Sequence, residues 1–149
     1  MGVATLGLVS SACSKGAQQD GTVRLELEGL PDLEARVPSG TTMSKNAVGI
    51  GVMLKGPGVS MTIGPALEVD AASLEDAKHN AQSYAPEDVE GQTLSDGYIL
   101  TYESTGSTGT NYWLVGRRTF ADAAYTCGVS SPKKEHQQSA IAICKSLSK

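Results

Sequence analysis

Short segments in which apolar and polar residues alternate recur along this chain of 149 residues, and they constrain its fold more than any other feature. Alternation with a period of two places the apolar side chains on one face of a β-strand, which is typical of a half-buried sheet. Glycine and proline turns separate the segments, so that strands follow one another along the chain. Strands in such runs favour an antiparallel sheet with helices packed on it.

Two hairpins are predicted in the first half of the chain. In the first, residues 22–28 and 33–37 each alternate apolar and polar side chains on either side of a turn. In the second, the apolar residues of 47–54 alternate with two glycines, and a Gly-Pro-Gly turn leads into residues 59–63. Alternating segments joined by such turns are typical of paired antiparallel strands.

A change from a period of two to helical spacing marks two helices. Residues 70–84 carry an apolar stripe at helical spacing, and Asp70 or Ser73 would cap the first turn. The pair Ser131-Pro132 predicts the start of a C-terminal helix, with serine as the N-cap and proline in the first turn. Between the two helices, strands are predicted over residues 94–103, 111–120 and 123–129.

The predicted order is therefore four strands, a helix, three strands and a C-terminal helix. This order indicates an α+β fold, an antiparallel sheet of about six or seven strands with two packed helices, one of them C-terminal. A single domain over residues 22–149 accounts for all of these elements, and a chain of this length is large enough to bury its own core.

The N-terminal stretch from Leu6 to Cys13 contains a short apolar run, small residues and a cysteine. It resembles a bacterial lipoprotein signal, in which the cysteine is acylated, with palmitate among the lipids, and becomes the first residue of the mature protein. Residues 1–12 would then be the signal peptide, and residues 13–21 the lipidated cysteine and a flexible tether. The alternative is an apolar N-terminus with an incidental cysteine, because Ser10 replaces the usual aliphatic residue and no lysine or arginine precedes Cys13.

The lipoprotein resemblance implies export to the bacterial cell envelope. The protein would be held there by its lipid, on the outer membrane and facing the periplasm if the cell is Gram-negative. With Cys13 lipidated, Cys127 and Cys144 remain, and in an oxidising compartment we expect them to form a disulfide. The alternative is that both are buried, reduced cysteines, which behave as small hydrophobic residues.

The C-terminal part of the chain resembles a known family of small bacterial lipoproteins, those with a PsbP-like α/β/α sandwich. The resemblance rests on a last strand with Tyr125-Thr126-Cys127, a turn with Pro132, and a helix that ends in Ile141-Ala142-Ile143-Cys144-Lys145-Ser146-Leu147. Such proteins mostly serve as binding or assembly factors. The resemblance therefore implies a non-catalytic domain, and it supplies no site residues.

The sequence contains no motif of a familiar enzyme class. His79 and His136 lie on different predicted helices without a second strong ligand at helical spacing, so we predict no catalytic residue, no metal site and no cofactor. The net charge of −4 disfavours nucleic-acid binding, which requires clustered lysine and arginine. We therefore expect a protein that is not an enzyme, with the membrane and a protein as its partners.

One predicted strand carries residue types that are frequent at binding surfaces. Alternation over 111–120 puts Trp113 and Arg117 on one face of the strand, and Tyr112 and Arg118 on the other. Because tryptophan and arginine are enriched in binding hot spots, these four residues form a candidate binding surface. The alternative is a tryptophan in the core and arginines paired with nearby carboxylates.

Three functions remain open from the sequence. The first is a membrane-anchored envelope lipoprotein with a binding or assembly domain. The second is a lipoprotein that binds a small ligand, for example in a cleft between the sheet and the helices. The third is an enzyme with an unfamiliar site, which would require groups such as Glu103, Asp122 and His136 to converge.

Overall fold

The computed structural model describes residues 20–149, so that the predicted signal peptide and Cys13 lie outside the described residues. Within this range the chain forms nine β-strands and two α-helices. In chain order they are β1 Gly21–Leu25, β2 Leu33–Val37, β3 Thr42–Lys45, β4 Val52–Gly56, β5 Val59–Pro65, α1 Leu74–Ala81, β6 Glu87–Leu94, β7 Gly97–Gly106, β8 Gly109–Phe120, β9 Ala123–Ser131 and α2 Lys134–Ser146.

Seven of the strands form one antiparallel sheet with the order β3-β4-β5-β9-β8-β7-β6. The strands β1 and β2 form a separate antiparallel hairpin, in which Gly21 pairs with Val37 and Leu25 with Leu33. The central strands β7, β8 and β9 form a meander with long, regular pairing. The predicted α+β class, the strand number of the sheet and the C-terminal helix are confirmed.

One face of the sheet is covered by α2 and by the hairpin of β1 and β2. Alternate residues of β5, β8 and β9, such as Ile63, Leu114 and Cys127, are buried on this face. They pack with Ile143 on α2 and with Leu33 on β2 in a single hydrophobic cluster. Burial of such a cluster is the main favourable contribution to folding. We call this side the α2 face.

The opposite side, which we call the α1 face, carries a smaller cluster. Ala77 and Ala81 of α1 pack on three buried side chains of β7, namely Tyr98, Leu100 and Tyr102. The helix α1 contacts β6 and β7 at one edge of the sheet. The rest of the α1 face is therefore covered less completely than the α2 face.

The predicted strand over residues 47–54 is largely wrong. Only Val52 onward belongs to β4. This strand pairs with β5, as the predicted hairpin requires, and on its other side with β3, a strand that the sequence did not predict. Residues 46–51 form a loop in which Gly49 and Gly51 have φ angles of +113° and +105°, values that favour glycine. The alternation was misleading here, because Val48 and Ile50 are exposed loop residues.

The boundaries of both helices also differ from the prediction. Helix α1 begins after Ser73, whose Oγ accepts a hydrogen bond from the Asp76 backbone N–H, and ends earlier than residue 84 because a 3₁₀ turn over Gln82–Tyr84 follows. Helix α2 begins only at Lys134, because Ser131 still belongs to β9. The edge strand β6 was missed, since nearly all of its residues are exposed and no apolar alternation marks it. The observed order is thus five strands, a helix, four strands and a helix.

Candidate functional site

A groove crosses the part of the α1 face that α1 leaves open. Its cavity volume is about 430 Å³. The residues that line it come from β4, β5, β8 and β9 and combine apolar side chains with hydroxyl groups; they are Met53, Ser60, Met61, Thr62, Trp113, Leu114, Val115, Gly128, Val129 and Ser130. A concave surface with a few polar groups on an apolar lining is the usual form of a binding site.

Trp113 forms one wall of the groove and is held in place on three sides. Its indole Nε1 donates a hydrogen bond to Ser104 Oγ at 2.8 Å. Its ring stacks on Tyr102, with centroids 5.7 Å apart, and contacts Tyr84 at 4.9 Å. Burial raises the pKa of Tyr102 to about 12, so this phenol stays neutral at physiological pH. The wall is therefore preorganised, and Trp113 would lose little conformational freedom on binding.

Gly128 keeps the floor of the groove open. It lies on β9 between its cross-strand neighbours Val115 on β8 and Thr62 on β5. A Cβ atom added at Gly128 would lie 3.0 Å from Thr62 Oγ1 and would project from this face of the sheet. The missing side chain therefore creates part of the depth of the groove.

A smaller recess of about 200 Å³ adjoins the groove toward the loop that precedes α1. It shares Thr62, Val115 and Gly128 with the groove, and Tyr98 and Asp70 line its far side. The Tyr98 hydroxyl donates to the Ala71 carbonyl at 2.7 Å, and Asp70 Oδ2 accepts from the Leu67 backbone N–H at 2.6 Å. These bonds fix the loop against the sheet and give the recess a defined shape.

The four residues of the predicted binding surface lie on two opposite faces of the sheet, as the alternation in β8 predicts. Trp113 and Arg117 lie on the α1 face, beside the cross-strand partners Tyr102 and Tyr98 respectively. Within the described part of the chain, the Arg117 side chain forms no ion pair and no hydrogen bond. Its guanidinium is therefore available at the end of the strand that carries the groove.

Arg118, on the other face, is 8% exposed and holds the fold together rather than offering a surface. It binds Asp96 through two hydrogen bonds of 2.7 and 2.9 Å, and its Nη1 donates to the Cys144 and Lys145 carbonyls at 2.6 and 3.0 Å. The last carbonyl groups of a helix lack partners within the helix, so Arg118 caps the C-terminal end of α2. Its hydrogen bonds lower the pKa of Asp96.

Tyr112 also lies away from the groove, next to the start of α2. The Lys134 ammonium is 5.7 Å from the centre of its ring, which is a cation–π contact. Tyr112 and Arg118 are thus separated from Trp113 by the sheet. The candidate surface therefore consists of Trp113, Arg117 and the other groove residues. The sequence did not predict most of these groove residues, because none of them belongs to a motif within its own strand.

Of the three residues named as candidates for catalysis, Asp122 lies at the opposite end of β8 from Glu103 and His136. His136 Nδ1 lies 2.7 Å from Ser131 Oγ, which also accepts from the Lys133 backbone N–H, so the serine is used in the turn before α2. Glu103 pairs with Lys134, whereas Asp122 is exposed in the turn at the far end of β8. Among residues 20–149, no group of three or more histidine, cysteine or acidic residues is arranged to hold a metal ion.

The predicted disulfide between Cys127 and Cys144 is present. It joins the middle of β9 to α2 across 17 residues of sequence, with a Cα–Cα distance of 6.1 Å. Both cysteines are fully buried in the cluster of the α2 face. The helices in residues 20–149 are too short or too polar to cross a membrane.

Comparisons with known proteins identify the fold and nothing finer. No protein-family model matches the chain, and no curated protein sequence matches it. The structure is similar to the solution structure of cyanobacterial PsbP (CyanoP) from Synechocystis sp. PCC 6803, with a TM-score of 0.52 and 12% sequence identity over 95% of this chain and 99% of that chain. The predicted resemblance is confirmed at this level, and the protein has a PsbP-like fold.

Proposed function

We propose that this protein is a membrane-anchored lipoprotein of the bacterial envelope whose domain binds a partner protein and catalyses no reaction. The groove beside Trp113 carries the proposal. It combines a fixed aromatic wall, an apolar floor and hydroxyl groups, which are the features of the central part of protein interfaces. Arg117 adds an available guanidinium, a group that is enriched in binding hot spots.

The position of β1, the first strand of the described domain, supports attachment through a tether. The chain enters the domain at Gly21, the first residue of β1, and β1 packs with β2 on the α2 face. The groove lies on the opposite face of the sheet. A protein anchored through Cys13 would therefore present the groove on the side away from its point of attachment, where a partner has access.

The anchor is tested by mass spectrometry of the mature protein isolated from membranes. We expect an N-terminus at Cys13 that carries acyl chains, and release of the protein from the membrane fraction by Cys13→Ser. A mature chain that keeps residues 1–12 or carries no lipid would contradict the anchor. That result would not contradict binding in the groove, which a separate experiment tests.

The groove is tested by a substitution that fills it. Gly128→Leu would place a branched side chain on the groove floor, since only the rotatable Thr62 hydroxyl lies near the new Cβ atom. We expect the variant to fold and to lose recovery of the partner in crosslinking from membranes. Ala142→Leu is the matched control, because it adds an exposed leucine to α2 on the other side of the sheet. Equal recovery by both variants would contradict a role of the groove.

A further inference from the structure

A second cavity lies on the α2 face, where α2 leaves the edge of the sheet uncovered. It has a volume of about 530 Å³ and separates β6 and β7 from the first turns of α2. Most of its lining is polar, with Val89 and Ile141 as the aliphatic members. We call this cavity the edge cleft. It is independent of the groove beside Trp113, which lies on the opposite face.

Two buried polar side chains line the edge cleft and keep unused hydrogen-bonding capacity. Thr101 and Gln137 are only 8% and 7% exposed. Gln137 Nε2 donates to the Trp113 and Tyr102 carbonyls at 2.8 and 3.3 Å, which leaves its Oε1 without a partner among residues 20–149. The Thr101 hydroxyl likewise has no protein partner in that range. Among residues 20–149, every side-chain nitrogen or oxygen that is closed to solvent has a hydrogen-bond partner. The unpaired oxygens of Thr101 and Gln137 are therefore open to solvent, through the cleft that both residues line.

The charges around the edge cleft are mainly negative. Asp88, Glu90 and Glu103 line it, and Lys134 is the one cation in the lining. A β-bulge in β6 shapes this wall, because the pairing register shifts between Glu87 and Glu90 and Asp88 has a φ of +48°. Bulges redirect side chains in this way at the edges of sheets. The cleft thus presents acceptors and negative charge to a ligand.

Lys134 is bound at the mouth of the cleft in the way that an external cation would be. Its Nζ lies 3.1 Å from Glu103 Oε1, and its side chain is 56% exposed. The hydrogen bond and the charge of Glu103 raise the pKa of Lys134. An exposed ion pair of this kind contributes little to stability, so Lys134 can be displaced at small cost. The chain's own ammonium therefore indicates which ligand chemistry the mouth accepts.

We propose that the edge cleft binds a small alkyl diamine in its doubly protonated form. One ammonium would replace Lys134 at Glu103, and the other would donate to the free oxygens of Thr101 and Gln137. The methylene groups between them would contact Val89 and Ile141. A metal ion is a poorer fit, since the carboxylates in the described part of the chain do not gather into a coordinating group.

The proposal is tested by calorimetric titration of the purified full-length protein with 1,4-diaminobutane. Butane-1,4-diol, which lacks the charges, and the hexamethyl bis-ammonium analogue, which lacks N–H donors, are the matched control ligands. We expect saturable one-to-one binding of the diamine and at least tenfold weaker binding of both controls, because hydrogen bonds to charged groups are worth about 1.5–3 kcal/mol. Equal binding of the hexamethyl analogue, or no binding of the diamine, would overturn the proposal.

Variants of the ion pair give a test in which the sign of the effect decides. Glu103→Gln should weaken diamine binding about tenfold, whereas Lys134→Met should strengthen it by about two- to fivefold by removing the internal competitor. If the ion pair were only structural, the two variants would change the affinity for the diamine in the same direction or not at all. That result would refute the proposal. Glu75→Gln, which breaks the exposed Glu75–Lys78 pair on α1, should leave binding unchanged.

The contribution of the cleft floor is tested with Thr101→Val, which removes the hydroxyl and keeps the shape of the side chain. We expect about tenfold weaker binding. Thr101→Ser restores the hydroxyl and should restore most of the affinity, and it also controls for instability of the valine variant. Full affinity in Thr101→Val at a wild-type melting temperature would contradict the proposed site.

Discussion

The two faces of the seven-stranded sheet are built from the same strands but differ in how they are covered. On the α2 face, a helix and a hairpin seal a cluster that contains the disulfide, and Arg118 binds the end of the helix beside it. On the α1 face, a short helix covers β6 and β7 and leaves a groove across β4, β5, β8 and β9. The comparison indicates that the sealed cluster of the α2 face maintains the fold, whereas the open part of the α1 face is available to a partner protein.

The largest expected difference between the faces concerns two adjacent arginines of β8. Arg118→Met would leave Asp96 and the end of α2 without their donors. Removal of one partner from a buried ion pair costs about 3–5 kcal/mol, and because the Asp96 side chain is 26% exposed we expect a loss near the lower end of that range. Arg117→Met removes an arginine without a bound partner among the described residues, so we expect a change within about 0.5 kcal/mol. Urea denaturation of both variants measures the difference. Similar losses for the two variants would contradict different roles of the two faces.

The disulfide provides the next largest effect. Replacement of Cys127 and Cys144 by alanine should lower the free energy of unfolding by about 3 kcal/mol, because the bond closes a loop of 17 residues in the unfolded chain. The measurement is thermal or urea unfolding, with the wild-type protein under reducing conditions as a second approach. If the double variant kept wild-type stability, α2 would be held by packing alone.

Two glycines of neighbouring strands test how tightly each face of the sheet is packed. A Cβ atom at Gly116, on the α2 face, would lie 3.0 Å from Cys144 Sγ and 3.3 Å from Cys127 Cβ, and neither atom can move freely. Gly116→Ala should therefore cost about 1–3 kcal/mol, as overpacking of a core does. Gly128→Ala, on the α1 face, meets only the Thr62 hydroxyl and should be nearly neutral. The reverse order of the two melting temperatures would be incompatible with a sealed α2 face.

The smallest effect is a dependence of stability on acid. Arg118 lowers the pKa of Asp96 in the folded state below its value in the unfolded chain, which is about 3.9. The resulting stabilisation is fully present above that unfolded pKa and is lost as the pH falls through the lower folded pKa. As the pH falls below about 4, wild-type protein should therefore lose more stability than Asp96→Asn. Equal losses in both would show that the ion pair has no such role.

Local patterns in the sequence were sufficient for the regular part of the fold. The two hairpins, Ser73 as one of two candidate caps of α1, and the strands β7 to β9 were predicted, because alternation, capping and turns act between residues close in sequence. The edge strands β3 and β6 were not, because both of their faces are exposed and apolar alternation is absent. Val48 and Ile50 alternate without forming a strand, since the glycines between them adopt positive φ angles.

The candidate site could be predicted only in part. The alternation in β8 correctly separated Trp113 and Arg117 from Tyr112 and Arg118. The alternative of arginines paired with carboxylates holds for Arg118, but its partners Asp96 and Cys144 could not be identified because they lie 22 and 26 residues away in sequence. The groove depends on how far α1 extends over the sheet, which is a property of packing and not of any one strand. The edge cleft depends in addition on a bulge in β6.

Site-specific photo-crosslinking in intact cells tests the central claim, that the open part of the α1 face binds a protein. A photoreactive amino acid is placed at Met53 or Ser60 in the groove, and at Ala142 on α2 as the control position. We expect the same discrete protein adduct from both groove positions, its loss with Gly128→Leu, and no such adduct from Ala142. An adduct from Ala142 alone, or none from the groove, would contradict the claim.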